Sequence, residues 1–67
     1  MPHSELNERE RQILTLVSDG NSYKKIENIL SLKLPTIKFY IRTAKDKLGA
    51  SNTAHAVAKF VRGIVPL

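Results

Sequence analysis

The chain has 67 residues, a formal net charge of +5 and no cysteine. A domain of this size buries only about 60% of the surface of its unfolded chain, and neither a disulfide nor a thiolate metal site can stiffen it. No apolar run approaches the roughly 20 residues that span a bilayer, and the start Met-Pro-His-Ser-Glu lacks the basic and apolar regions of a secretory signal. The expectation is one small soluble domain of the cytoplasm, held by helix caps and one economical core.

The charge is unevenly placed. Residues 1–32 carry Arg9, Arg11, Lys24 and Lys25 against Glu5, Glu8, Glu10, Asp19 and Glu27. Residues 33–67 carry Lys33, Lys38, Arg42, Lys45, Lys47, Lys59 and Arg62 against Asp46 alone. A basic half is the electrostatic footprint of a polyanion partner, or else a lysine-rich solubilising face; charge alone does not separate the two.

Four helices follow in chain order. Asn7 with Glu10 three residues on makes a capping-box pattern, predicting a helix over 8–19 that carries Ile13, Leu14 and Val17 and stops at Gly20. Ser22 caps a second helix, 22–31, with Ile26, Ile29 and Leu30 on its apolar side. Only a tight turn with Leu32 tucked into it separates this helix from a third, 34–48, so the pair reads as a helix-turn-helix. Pro35 falls in the first turn of the third helix, where a missing N–H is harmless, and Gly49 is available as its left-handed cap. Ser51 or Asn52 opens a fourth helix, 52–63, with Gly63 and Pro66 closing it. No segment alternates with period two, so the fold class is all-α.

The third helix is the most informative. Ile37, Ile41, Ala44 and Leu48 form a narrow apolar stripe. Lys38, Phe39, Arg42 and Thr43 project from the other side, with Lys45 and Lys47 on the flanks. A cationic face carrying an outward phenyl ring suits a helix laid in the major groove of DNA, with its back against a small core. Arg can grip guanine with two hydrogen bonds and Lys with one, while Phe39 can touch a thymine methyl; each has an ordinary surface reading as well. Ser22 can offer a phosphate its hydroxyl or be a cap and nothing else. Tyr40 can reach phosphate or be a half-buried core residue.

With the elements in place, the sequence resembles the LuxR-type (also called GerE-type) DNA-binding domain of bacterial transcription regulators. The matching residues are Leu6-Asn7-Glu8-Arg9-Glu10, Ile13-Leu14, Gly20-x-Ser22, Lys25-Ile26, Leu30-x-Leu32, Thr36-Ile37-Lys38, Lys47-Leu48-Gly49 and Asn52-x-x-x-Ala56-Val57. The resemblance implies a four-helix domain in which 34–48 is the recognition helix. It also implies transcription control, binding as a dimer to two-fold related half-sites, and a dimer contact on the fourth helix. Carried over residue by residue, it places base contacts on Lys38, Phe39 and Arg42, and backbone contacts on or near Ser22, Lys24, Lys25, Thr36, Tyr40 and Lys47. In that family the domain is usually the C-terminal part of a longer regulator, so the resemblance implies a longer quorum-sensing or response regulator around it, with the family's free-standing members as the alternative. The ending from Val57 to Val65 resembles the acyl-homoserine-lactone-sensing branch.

The chain departs from that family's pattern at several places. Glu27 stands where a small residue is usual, Lys33 where a Ser or Thr caps the third helix, Tyr40 where His is frequent, Ala44 where a large aliphatic is frequent, and Thr53 where Arg is frequent. Loss of the cap costs about 1 kcal/mol and predicts a shifted or frayed start to the third helix. On the fourth helix, Val57 and Ala54 are assigned to the core, leaving Phe60 and Val61 for a dimer contact.

Two other readings stay open: a σ-factor region-four-like module docked on RNA polymerase, itself a candidate partner in either case, and a basic helical module that meets an acidic protein. His3 and His55 are too isolated for a metal site or a catalytic dyad, and no nucleophile–base constellation is present. The chain reads as a DNA-binding protein that needs no cofactor, and not as an enzyme.

Overall fold

The computed structural model describes residues 6–64; the expectations placed on His3 and Pro66 lie outside them. Four helices make up the fold: α1 (Glu8–Ser18), α2 (Tyr23–Leu30), α3 (Leu34–Leu48) and α4 (Thr53–Ile64). Gly63, expected to end the last helix, lies within it.

Local chemistry sets each boundary. At α1 the capping box forms in both directions: the Asn7 side chain accepts the Glu10 N–H, and the Asn7 N–H donates to Glu10 Oε1, each at 2.8 Å. The helix closes through the Asp19 N–H on the Thr15 carbonyl at 3.0 Å, after which Gly20 takes a φ of +89°. Ser22 Oγ accepts the Lys25 N–H at 3.2 Å and starts α2. That helix ends at Ser31, which occupies the left-handed region at φ 55° without being glycine, a conformation that costs an L-residue about 1–2 kcal/mol. Gly49, at φ 64°, closes α3, with the Ala50 N–H returning to the Lys45 carbonyl at 2.9 Å. At α4 the cap is Asn52, whose Oδ1 accepts the His55 N–H at 2.8 Å, while His55 Nδ1 accepts the Ser51 N–H at 3.1 Å. His55 is therefore half of a reciprocal cap.

Two apolar clusters share α1 and α3 as their common elements. Ile13, Ile26, Ile37 and Ile41 bury each other where α1, α2 and α3 meet, flanked by Leu16, Val17, Tyr23, Leu30, Leu32 and Tyr40. Leu6, Leu14, Ala44, Ala56 and Phe60 form the second, between α1, α3 and α4, flanked by Leu48, Ala50 and Val57. The stripe of α3 is thus divided along its length. Its first half fixes α3 to α2, and its second half fixes it to α4.

Two assignments on α4 are corrected here. Phe60, expected at a dimer contact, is only 3% exposed and belongs to the second cluster. Ala54, expected in the core, is exposed. The inward face of α4 runs through Ala56, Val57 and Phe60, so of the two α4 residues expected in the core only Val57 packs there. Phe60 and the small Ala56 four residues before it pack in the same cluster as Ala44 of α3.

Candidate nucleic-acid interface

Burial of Ile37 and Ile41 turns one side of α3 inward and leaves Lys38, Phe39 and Arg42 exposed on the other. Lys38 and Arg42 are four residues apart and Phe39 and Arg42 three, so the trio is contiguous on the helix surface. Phe39 is 59% exposed, more than any other large apolar side chain among the described residues. Its ring stands edge-on to Tyr40, with centroids 5.7 Å apart and planes at 68°. That contact holds it against the helix surface without removing it from water. Tyr40 is half-buried against the first cluster, as its core reading expected.

Lys38, Arg42 and Lys45 recur at four and three residues and line a concavity of about 250 Å³ with Tyr23, Ile41 and Thr53. Its walls come from α2, α3 and the start of α4. Lys45 and Thr53 were not among the sequence-predicted contacts. The spacing of Lys45 from Lys38 and Arg42 was a readable signal, whereas Thr53 joins them only through the packing of α4 on α3.

Lys24, Lys25 and Thr36 are exposed. Ser22 is exposed as well, with its oxygen engaged in capping α2. A serine hydroxyl that accepts can also donate, so the Ser22 side chain can offer its proton to an outside acceptor.

Lys47 and Thr43 are placed differently from expectation. Thr43 does not project outward with the cations. It is half-buried, and its hydroxyl donates to Glu10 Oε2. Lys47 Nζ donates to Glu10 Oε1 at 2.9 Å. Glu10 is 1% exposed, so the capping carboxylate of α1 is also the buried anchor of α3. Residue spacing could not signal this, because Glu10 is 33 and 37 residues from its two partners.

Burial pushes the Glu10 carboxyl up, but hydrogen bonds from Thr43, Lys47 and the Asn7 N–H, with the charge of Lys47, hold it below its ordinary value of 4.5. A carboxyl with a depressed folded value contributes stability that is present above 4.5 and lost as the pH falls through that depressed value. Chemical unfolding measured from pH 7 to pH 3 should show this acid loss, and Glu10→Gln should flatten it. An identical pH dependence in Glu10→Gln would remove Glu10 from the account.

An exposed cationic face on the second helix of a helix-turn-helix, with the opposite face locked into a core, defines the DNA-binding class of this motif. Comparison narrows the class. The model for "Bacterial regulatory proteins, luxR family" (GerE) matches residues 4–60, and the chain belongs to that family of DNA-binding transcription regulators.

Among curated relatives, the transcriptional activator protein CarR of Pectobacterium carotovorum subsp. carotovorum is 41% identical over 54 residues, covering 81% of this chain and 22% of the relative. The transcriptional repressor ThaA of Burkholderia thailandensis is 37% identical over 59 residues, 87% of this chain and 25% of the relative. The transcriptional regulatory protein DesR of Bacillus subtilis is 37% identical over 54 residues, 81% of this chain and 27% of the relative. The chain therefore spans about a quarter of the length of these relatives. No solved structure matches it. Among the described residues, no helix is long and apolar enough to cross a membrane.

Proposed function

We propose that this domain reads a two-fold symmetric promoter site in double-stranded DNA as a homodimer, with α3 in the major groove. Lys38, Phe39 and Arg42 face base edges. Ser22, Lys24, Lys25, Thr36 and Tyr40 hold the sugar-phosphate backbone, with Lys45 and Thr53 added from the concavity. Lys47 joins them through the ammonium protons that Glu10 does not take.

The observation that carries the reading is the exposed trio on α3 opposite the buried Ile37 and Ile41. The dimer contact is placed on the outer side of α4 at Val61, which is 38% exposed, with Phe60 withdrawn from it. The domain acts in the cytoplasm as the effector part of a longer quorum-sensing or response regulator. Relatives about four times the matched length support a longer regulator around the domain.

Selection of bound duplexes from a random-sequence pool tests the proposal. The expected result is a two-fold symmetric motif with half-sites about one helical turn apart. A pool that stays random, or an asymmetric motif, would sink the reading or its dimer respectively.

Single-residue effects should then divide by position. Arg42→Ala should lose about 1–3 kcal/mol at one base position and relax the preference there. Lys24→Ala and Lys25→Ala should weaken all sequences alike, each reducing the salt slope by about one. Affinities for single-base operator variants at two salt concentrations check the division. Uniform weakening across those variants in Arg42→Ala would remove Arg42 from base reading.

A further inference from the structure

The recognition helix is held at both ends by side chains from its neighbours. At its start, Lys33 supplies no side-chain cap. Instead the Leu34 N–H donates to Glu27 Oε2 at 2.9 Å, reaching across the turn to α2. The next residue is Pro35, which has no N–H. The amides of Thr36 and Ile37 both return to the Lys33 carbonyl, at 3.0 and 3.1 Å. At the other end, Lys59 Nζ on α4 donates to the Leu48 and Gly49 carbonyls at 2.9 and 3.3 Å. A carboxylate at the positive end of the helix and an ammonium at the negative end both complement its dipole.

Glu27 does a second job with its backbone. Its carbonyl accepts the Ser31 N–H that closes α2 and the Leu32 N–H at 3.2 Å. One residue thus fastens the end of α2 and the start of α3, on either side of a turn that contains a strained left-handed Ser31. The two departures Glu27 and Lys33 are thereby explained together. The acid on α2 replaces the hydroxyl cap missing from the turn, and α3 starts at Leu34, the first residue of its expected range, rather than shifted or frayed.

We propose that Glu27 is a positioning residue for sequence reading: its carboxylate fixes the entry of α3 and so aims Lys38, Phe39 and Arg42. This rests on the reading of α3 as the base-contacting helix. The geometry also closes the start of α3 to phosphate, because its first amides are already engaged. Backbone contact there falls to the exposed Thr36 side chain.

The test uses the 67-residue chain, the operator selected from the random pool and a scrambled duplex of equal length. Glu27→Ala should lower the operator-over-scrambled affinity ratio about fivefold, the worth of one cap. It should also speed hydrogen exchange of the Leu34 amide. Glu27→Asp keeps the charge but is one methylene short of the amide, and serves if the alanine variant folds poorly; it should show the same two changes. Lys59→Met, which releases the far end of α3, should cost stability while leaving the affinity ratio near wild type.

An unchanged Leu34 exchange rate would overturn the cap. Faster exchange with the ratio intact would overturn the positioning role. An equal fall in the ratio for Lys59→Met would reduce Glu27 to a stabilising residue and overturn the proposal. A wild-type chain that binds both duplexes alike would fail the DNA-reading proposal itself, a result separate from all three.

Discussion

Replacing Phe60 with Ala should destabilise the domain by about 3–5 kcal/mol, and Phe60→Asp should leave it unfolded. The ring is 3% exposed among Leu6, Leu14, Ala44 and Ala56, and nothing in so small a core can collapse into the space it leaves. Domains of this size are stabilised by roughly 0.05–0.15 kcal/mol per residue in total, so the loss of one such ring is comparable to the whole. The neighbouring Val61→Asp should keep the helical circular-dichroism spectrum and a cooperative thermal transition, because that side chain is exposed. If α4 carries the dimer contact, the same variant should bind a full palindrome at close to half-site strength, since the coupling of two linked sites is lost. A folded Phe60→Asp domain would overturn the core assignment. A Val61→Asp variant with unaltered palindrome affinity would remove Val61 from the dimer.

Lys47→Met should cost about 2 kcal/mol of stability. Removing one partner of a buried ion pair commonly costs about 3–5 kcal/mol. The value is discounted here because the Lys47 side chain is 36% exposed and water replaces part of what is lost. The methionine retains most of the stem, so the loss reports the ammonium on Glu10 rather than packing. Salt dependence of DNA binding, measured well below the unfolding temperature, separates the two roles of this residue. A slope unchanged from wild type would assign Lys47 to the core alone, and a slope reduced by about one would add a phosphate contact. Unaltered stability would show that the tie between α1 and α3 contributes nothing.

These expectations differ in origin. Helix number, order and most boundaries were legible in the sequence because they depend on residues close together in the chain. Asn7 with Glu10, Ser22, Pro35 and Gly49 each act within a turn of the helix they delimit. The exposed face of α3 was legible for the same reason, since the period that buries Ile37 and Ile41 turns Lys38, Phe39 and Arg42 outward. Family resemblance then supplied the meaning of that face, which periodicity could not.

What only the tertiary structure decided lies in contacts between distant residues. Glu10 looked like half of a local cap, and packing α3 against α1 made it the buried partner of Thr43 and Lys47. Lys33 looked like a missing cap until α2 brought the Glu27 carboxylate to the Leu34 amide. Lys59 was one cation of the basic half until α4 set it on the last carbonyls of α3. Phe60 and Val61 are adjacent and both apolar, so composition could not rank them; a rotation of about 100° per residue sends one into the core and the other to the surface. Short-range hydrogen bonding and helical period are properties of a segment and can be read from it. The partner of a long side chain depends on which helix lies beside it, and that is fixed only when the core closes.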